Sequence, residues 1–575
     1  MIPPLPAALS TRAAGFFHVL SSRFRADAYW VQWLLTGRPA MSNTKKPIEI
    51  HVHAKKPLGE LQPLWNYFGY DEANYTFTDE GRSLLAKLSS LSEKPTYIRT
   101  HHLLTSGNGE TWLKWSSSGV YREDKDGNPI YAWSILDRVF DGLHELGIKP
   151  LVEIGFMPEV LSVSPGSYTP AKILNGDISS AGLVGGGAFY PPKDYLKWEA
   201  LIEAWVGHCV ERYGSGEVST WLWELWNEPD AHYWQGTLEE YLRLWDHTVS
   251  AIRRSLPQAR VGGPHVTNPT SAESERYLRS FIKHCKHIGA LPDFLAFHAK
   301  GGTELKDDHA FMNAANHLHT IDRGCEIVSS LTDGIPVIVG ESDPDGCAAC
   351  SAANYPQNRY RNGAQYASYT AATFLRKQAV AERHGVALLG AVTWAFLFPE
   401  QPWFHGYRTL STHGVNKPVY NAFQMFNMLP VNRVEVVNSC GRDLIDLMLP
   451  ESRGTADVDA VAAAGQRELG VIIWHHHDSG IPGDSIAVEL TIHQLGASSV
   501  TYAHYRIDDT HSNAYTTWRH MGAPQSPSPD ELSTLEESSV LALFAPPETL
   551  TSQDSTISIS VKMPRHSVSL VKLSW

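Results

Sequence analysis

Trp221-Leu222-Trp223-Glu224-Leu225-Trp226-Asn227-Glu228-Pro229-Asp230 decides the fold. An apolar, Trp-rich run with one internal glutamate stops abruptly at Asn-Glu-Pro. Pro229 cannot donate to a ladder and fixes its own φ, so a strand ends there. Glu228 therefore stands at the strand's C-terminal mouth, with the Asn227 amide beside it. A second run, Pro336-Val337-Ile338-Val339-Gly340-Glu341, is apolar throughout and also ends on a glutamate. Strands apolar on both faces belong to a parallel sheet covered by helices.

Outward from these two runs the pattern repeats. Short apolar strands are expected at 64–69, 96–101, 149–156, 220–226, 259–263, 293–298, 336–341 and 391–398. Amphipathic stretches at 80–91, 135–146, 194–213, 238–255, 272–287, 307–329 and 366–384 lie between them. Eight strands, each followed by a helix or long loop, predict a (β/α)8 TIM barrel. After about residue 430 the texture changes to β-branched and alternating runs separated by Gly, Pro, Ser and Asp. Strands are expected within 470–474, 485–492, 499–507, 556–562 and 567–575, and they predict a C-terminal antiparallel β-sandwich. Residues 521–555 read as a loop with one or two helical turns. The domains are thus an extension at 1–46, a catalytic barrel at 47–430 and a sandwich at 431–575. The early strand 48–53 has no place in the barrel count, leaving the sandwich as its candidate partner.

Composition narrows the function. A net charge of -13 argues against a nucleic-acid or anionic-membrane surface. No run reaches membrane-spanning length. Six cysteines are too few for a disulfide scaffold. Cys347-Ala-Ala-Cys350 has ligand spacing but lacks a second half-site, so a loop disulfide or free thiols are expected and a metal is not. No phosphate loop or dinucleotide fingerprint stands out, so no cofactor is expected. Residues 1–40, with Arg12, Arg23, Arg25 and Arg38 around short apolar runs, lack the layout of a secretion signal. They are expected to be a dispensable extension or a mis-assigned start, and the chain is expected to be cytoplasmic. Nothing in the sequence bears on oligomeric state.

Active sites of TIM barrels sit at the strand C-terminal ends. Glu228 ends the fourth expected strand and Glu341 the seventh, which face each other across the mouth. Two carboxylates about 5 Å apart are what retaining glycoside hydrolysis uses. In that scheme Glu228 is general acid and then base, with a pKa raised by burial and a neighbouring carboxylate. Glu341 is the ionised nucleophile.

Several further stretches carry a likeness. They are Ile98-Arg99-Thr100-His101, Trp226-Asn227-Glu228-Pro229-Asp230, Phe297-His298-Ala299-Lys300-Gly301, Gly340-Glu341-Ser342-Asp343-Pro344 and Phe404-His405-Gly406. Tyr505-Arg506-Ile507-Asp508 and His511-Ser512-Asn513-Ala514-Tyr515 extend it into the sandwich. Together they resemble glycoside hydrolase family 39 of clan A, which holds β-xylosidases and α-L-iduronidases. The resemblance implies an exo-acting glycosidase with a one-sugar pocket and an oligosaccharide or glycoside substrate. It places His101 and His298 on hydroxyls of the terminal sugar and Asn227 near its 2-hydroxyl.

The sugar stays open between two forms. Lys300 and Arg408 resemble the iduronidase pattern, which needs cations for a uronate carboxylate. Trp394, Glu400 and His405 resemble the xylosidase pattern, and Glu400 would repel a uronate. A xylose-type neutral sugar is the favoured reading, with an iduronidase-like hydrolase as the alternative. A non-catalytic sugar-binding barrel is the third, opposed by the presence of both glutamates.

Overall fold

Strand Leu222–Leu225 shows why this sequence makes a barrel. Leu222 points inward with Tyr67, Leu151, Phe294, Ala296, Ile338 and Val392, which form the lower layer of the barrel interior. Trp223 and Leu225 point outward into the layer beneath the helices. The Trp223 ring meets Trp205 edge-on at 5.6 Å, from helix Tyr195–Tyr213. Alternate residues thus serve two cores, and the whole strand is apolar except at Glu224. Strand Val337–Asp343 follows the same rule, with Ile338 inside and Val337 and Val339 outside.

In the computed structural model the described residues are 46–111, 115–164, 173–174, 177–178, 186–395 and 401–575. The expectations for residues 1–40 and for Glu400 lie outside them. Eight parallel barrel positions follow in order: Tyr67–Tyr70, Tyr97–Thr100, Lys149–Ile154, Leu222–Leu225, Arg260–Val266, Phe294–Lys300, Val337–Asp343, and a broken eighth. The eighth is Leu388–Ala391 followed by Thr393–Trp394. Its first half pairs with the seventh strand and its second half with the first, which closes the ring. This corrects the expected span 391–398: pairing starts three residues earlier, because Leu388 already opposes Val337.

Helix ends match local chemistry. Asp194 caps Tyr195–Tyr213 through the Leu196 and Lys197 amides. Thr237 and Glu240 form a reciprocal capping box on Leu238–Ser255. The stretch expected as one helix from 307 is a hairpin, Glu304–Lys306 with His309–Phe311, and the helix is Ala314–Leu331. Its Asn313 cap moves the start inward.

The C-terminal portion is a ten-stranded sheet folded over its own core. Strand Glu468–His476 faces two ways: Leu469, Val471 and Ile473 enter the sandwich core, and Ile472 and Trp474 join the barrel's core. Arg376, on helix Ala364–Glu382, reaches across to Asp457 and Asp459 and lies 4.7 Å from the Trp474 ring centroid. Strand Ile48–Glu60 is inserted between Asn432–Asn438, antiparallel, and Ile486–His493, parallel. Residues 521–555 hold more order than a loop. Ser528 and Glu531 cap an eleven-residue helix, Pro529–Ser539, and two short strands follow. Cys347 and Cys350 form a disulfide. No helix among the described residues is long and apolar enough to cross a membrane.

Candidate active site

A buried charge network floors the barrel mouth. Arg99, fully buried on the second strand, donates from Nε to Glu224 Oε1 at 2.5 Å. Its Nη2 donates to Asn227 Oδ1 at 3.0 Å and lies 3.4 Å from Glu153. Its Nη1 is 3.3 Å from Glu341 Oε1. Glu224 in turn binds the His265 ring. One guanidinium therefore ties the second, third, fourth and seventh strands together, using the fork geometry lysine lacks. Asn227 spends its carbonyl oxygen on Arg99, which leaves its NH2 as the free donor.

Glu228 follows a turn held by non-glycine residues in the left-handed region, Trp226 at φ 66° and Glu228 itself at φ 47°. Such conformations persist only where surroundings enforce them. Here the Glu228 amide donates to the His265 carbonyl at 3.1 Å. Asp230 accepts from the Thr267 amide at 3.0 Å and from its hydroxyl at 2.6 Å. The Trp226 indole donates to the Tyr233 carbonyl at 2.9 Å.

Glu228 and Glu341 meet over His298. One carboxylate oxygen of each and a ring nitrogen of His298 all lie within 4.8 Å of one another. His298 Nδ1 is 2.9 Å from Glu228 Oε1 and 3.8 Å from Glu341 Oε1. Lys300 Nζ donates to Glu341 Oε2 at 2.7 Å and to Asp343 at 3.1 Å. Gly340, just before Glu341, is a close-approach position. A Cβ there would collide with the His265 ring at Nδ1.

The electrostatics separate the two acids. Burial, then the charge of Glu341, pushes Glu228 up to about 8. Burial also pushes Glu341 upward, but Lys300, His298 and Arg99 outweigh it and hold this carboxyl well below the usual range. At neutral pH Glu228 holds a proton and Glu341 a charge. Burial lowers His298 to about 4, against the pull of Glu341, so its imidazole is neutral. Burial drives the Glu153 carboxyl well above the ordinary value, with the Arg99 charge opposing. His101 Nε2 lies 2.7 Å from Glu153 Oε2.

The other expected site residues fall as follows. His101 is buried beside Asp71, 3.4 Å from its carboxylate. Trp394 is only 2% exposed; it packs edge-on to His101 and under Arg99, so it supports the floor. His405 is half-buried with its ring against Tyr407. Arg408 is 1% exposed and spent on Asp343 at 3.4 Å and Asp345 at 3.3 Å. Arg99, Glu153, Glu224 and His265 carry the network without having been assigned roles from sequence. Their signal was available for the glutamates: Glu153 and Glu224 each interrupt an apolar run, and a carboxylate buried there needs a partner.

The profile of the family described as "Glycosyl hydrolases family 39" matches residues 48–546. A β-xylosidase of Caldicellulosiruptor saccharolyticus is 25% identical over 86% of this chain and 92% of its own length. One from Geobacillus stearothermophilus is 26% identical over 83% and 86%. Human α-L-iduronidase is 24% identical over 46% of this chain and 38% of its own. The crystal structure of a monomeric β-xylosidase from Caulobacter crescentus superposes with a TM-score of 0.72 at 20% identity, covering 92% of this chain and 99% of that one. At that identity the likeness speaks for the fold.

Proposed function

The chain belongs to glycosyl hydrolases family 39 and is a glycoside hydrolase, and on that premise we propose that it is a retaining exo-β-xylosidase. The observation that carries the reading is the 4.8 Å cluster of Glu228, His298 and Glu341. Retention needs carboxyl groups about 5 Å apart, whereas inversion needs more than about 6.5 Å to admit a water.

In the first step Glu341 attacks the anomeric carbon while Glu228 gives its proton to the departing glycosidic oxygen. Lys300 and Arg99 keep the nucleophile ionised until it bonds. Ester formation then cancels the charge of Glu341, and with it one cause of the high pKa of Glu228. Glu228, having given up its proton, then takes one from the water that replaces the enzyme on the sugar. The NH2 of Asn227, fixed by Arg99, supports a role as donor to the 2-hydroxyl.

The neutral sugar is supported by the state of the two candidate cations. Lys300 is spent on Glu341 and Asp343, and Arg408 is buried between Asp343 and Asp345. Neither offers an unpaired charge to a uronate carboxylate. A nitrophenyl β-D-xyloside should therefore be cleaved at least about tenfold more efficiently than an α-L-iduronide, with β-xylose as the first product by proton NMR. Release of α-xylose would sink the retaining mechanism. Preference for the iduronide would sink the sugar assignment and leave the mechanism standing.

A further inference from the structure

A second concave site lies beside the catalytic mouth. A cleft of about 740 Å³ runs between the barrel's loops and the sandwich, with walls from 308–310, 359–365, 480–483, 509–519 and 564–566. That volume suits a ligand of several rings. A relay of paired side chains connects it to the active site. Tyr360 lines the cleft and bonds Asp345 through its hydroxyl. Asp345 binds Arg408, Arg408 binds Asp343, and Asp343 binds Lys300 beside Glu341.

The cleft's charge is unbalanced. Arg359, Arg519 and Arg565 line it. Arg359 has Asp308 at 3.4 Å, on open surface. Neither Arg519 nor Arg565 makes an ion pair among the described residues. Arg565 is only partly exposed, its Nε is buried without a hydrogen-bond partner, and its Nη2 donates to the Ser479 carbonyl at 3.3 Å. A cation withdrawn from water without a counter-charge is costly. In a chain with 61 acidic residues against 48 basic ones, the missing carboxylate is the informative fact. Burial lowers the Arg565 pKa, as expected for a charge lacking compensation. Asp509 also lines the cleft; burial and Asp508 push its carboxyl up, and the charge of Arg519, not of Arg565, opposes them. Beside the arginines the Tyr515 ring is half-exposed. It is backed by Phe404 at 5.3 Å and stacked on Trp518 at 5.9 Å, with the Arg519 guanidinium 5.8 Å from its centroid. A flat, immobilised ring next to guanidinium forks suits the apolar face of a sugar that carries an anion.

We propose that this cleft binds an anionic saccharide, its carboxylate or sulfate held by Arg565 and Arg519 and one ring laid on Tyr515. The proposal rests on the activity proposed above only in taking the ligand to be a saccharide; the charge argument is separate. The test is calorimetry on full-length Glu341→Ala protein, which turns nothing over. The probes are xylotriose bearing a 2-linked glucuronic acid, a sulfated xylotriose, and plain xylotetraose. At least one anionic probe should bind about tenfold more tightly than the neutral one, and the tighter of the two identifies the anion. Adding Arg519→Ala and Arg565→Ala should remove the preference. In the otherwise wild-type enzyme, the same pair should leave kcat and KM on a nitrophenyl glycoside within about twofold. Arg565→Gln, which keeps volume and donors, guards against a folding artefact. Equal binding of neutral and anionic probes overturns the proposal, as does a preference that survives the double substitution. An enzyme inactive on β-xylosides would overturn the activity reading instead and leave the calorimetric comparison intact.

Discussion

Glu341→Gln should move the titration of Glu228, and the size of the move follows from the geometry. The substitution keeps the volume and an oxygen for Lys300 but removes one negative charge. Carboxylate oxygens of the two residues lie within 4.8 Å of each other. At an effective dielectric of about 20, two unit charges at that separation repel by about 3.5 kcal/mol. That is about 2.5 pH units. Losing a negative neighbour favours the ionised form, so the pKa falls. Lys300, relieved of one partner, pulls the same way. Glu228, at about 8 in the native protein, should then titrate near about 5.5. Burial, the larger cause, is unchanged and keeps the value above that of a free glutamate. The assay is carbon-13 NMR of protein labelled at the glutamate carboxyl carbons, followed from about pH 4 to pH 10 to bracket both values, with Glu228→Gln identifying the resonance. The native enzyme should show the matching midpoint as the basic limb of kcat/KM. A midpoint that stays near 8 in the Glu341→Gln protein would refute the reasoning, because burial alone would then set the acid.

Two further outcomes follow from the same structure. Glu228 is raised from 4.5 to about 8 on folding, so its contribution to stability is full below pH 4.5 and lost as pH rises through 8. Glu228→Gln should therefore stabilise the protein by about 3 kcal/mol at about pH 7 and by nothing at about pH 4, read from denaturant midpoints; equal effects at both pH values would contradict the burial argument. Arg376→Ala leaves the buried Asp457 without its cation and should cost about 3 kcal/mol, read the same way, with little change in KM. A neutral result would show that the apolar packing of Ile472 and Trp474, rather than anything Arg376 contributes, holds the two cores together.

The barrel was legible because its signal is redundant. Each strand is a short apolar run, and the helices carry their own periodicity. The two glutamates were legible because each terminates such a run. What escaped depended on partners distant in sequence. Arg99 lies 125 residues from Glu224 and 242 from Glu341, so no local pattern reveals that it joins them. Lys300 and Arg408 were visible as cations, but whether they are free or already paired is a matter of three-dimensional neighbours. Strands Asn432–Asn438 and Asp457–Ala464 were missed because their runs are mixed with Asn, Asp and Ala, and only the sheet around them makes them extended. The helix Pro529–Ser539 was underestimated by weighing Pro and Ser as loop formers, when Ser528-Pro529 and Glu531 form a helix start.

Strand Ile48–Glu60 has a consequence for how the molecule is made. Its neighbours in the sheet are residues 432–438 and 488–493, and His51 touches His493 across a separation of 442 residues. A chain emerging from the ribosome exposes this strand long before either flank exists. The barrel can assemble in the interval, but the strand has to wait with two open edges, the condition in which strands pair wrongly. Cutting the gene after the barrel would orphan it permanently. This strand and the sandwich it completes therefore form one folding unit, and removing either damages the other.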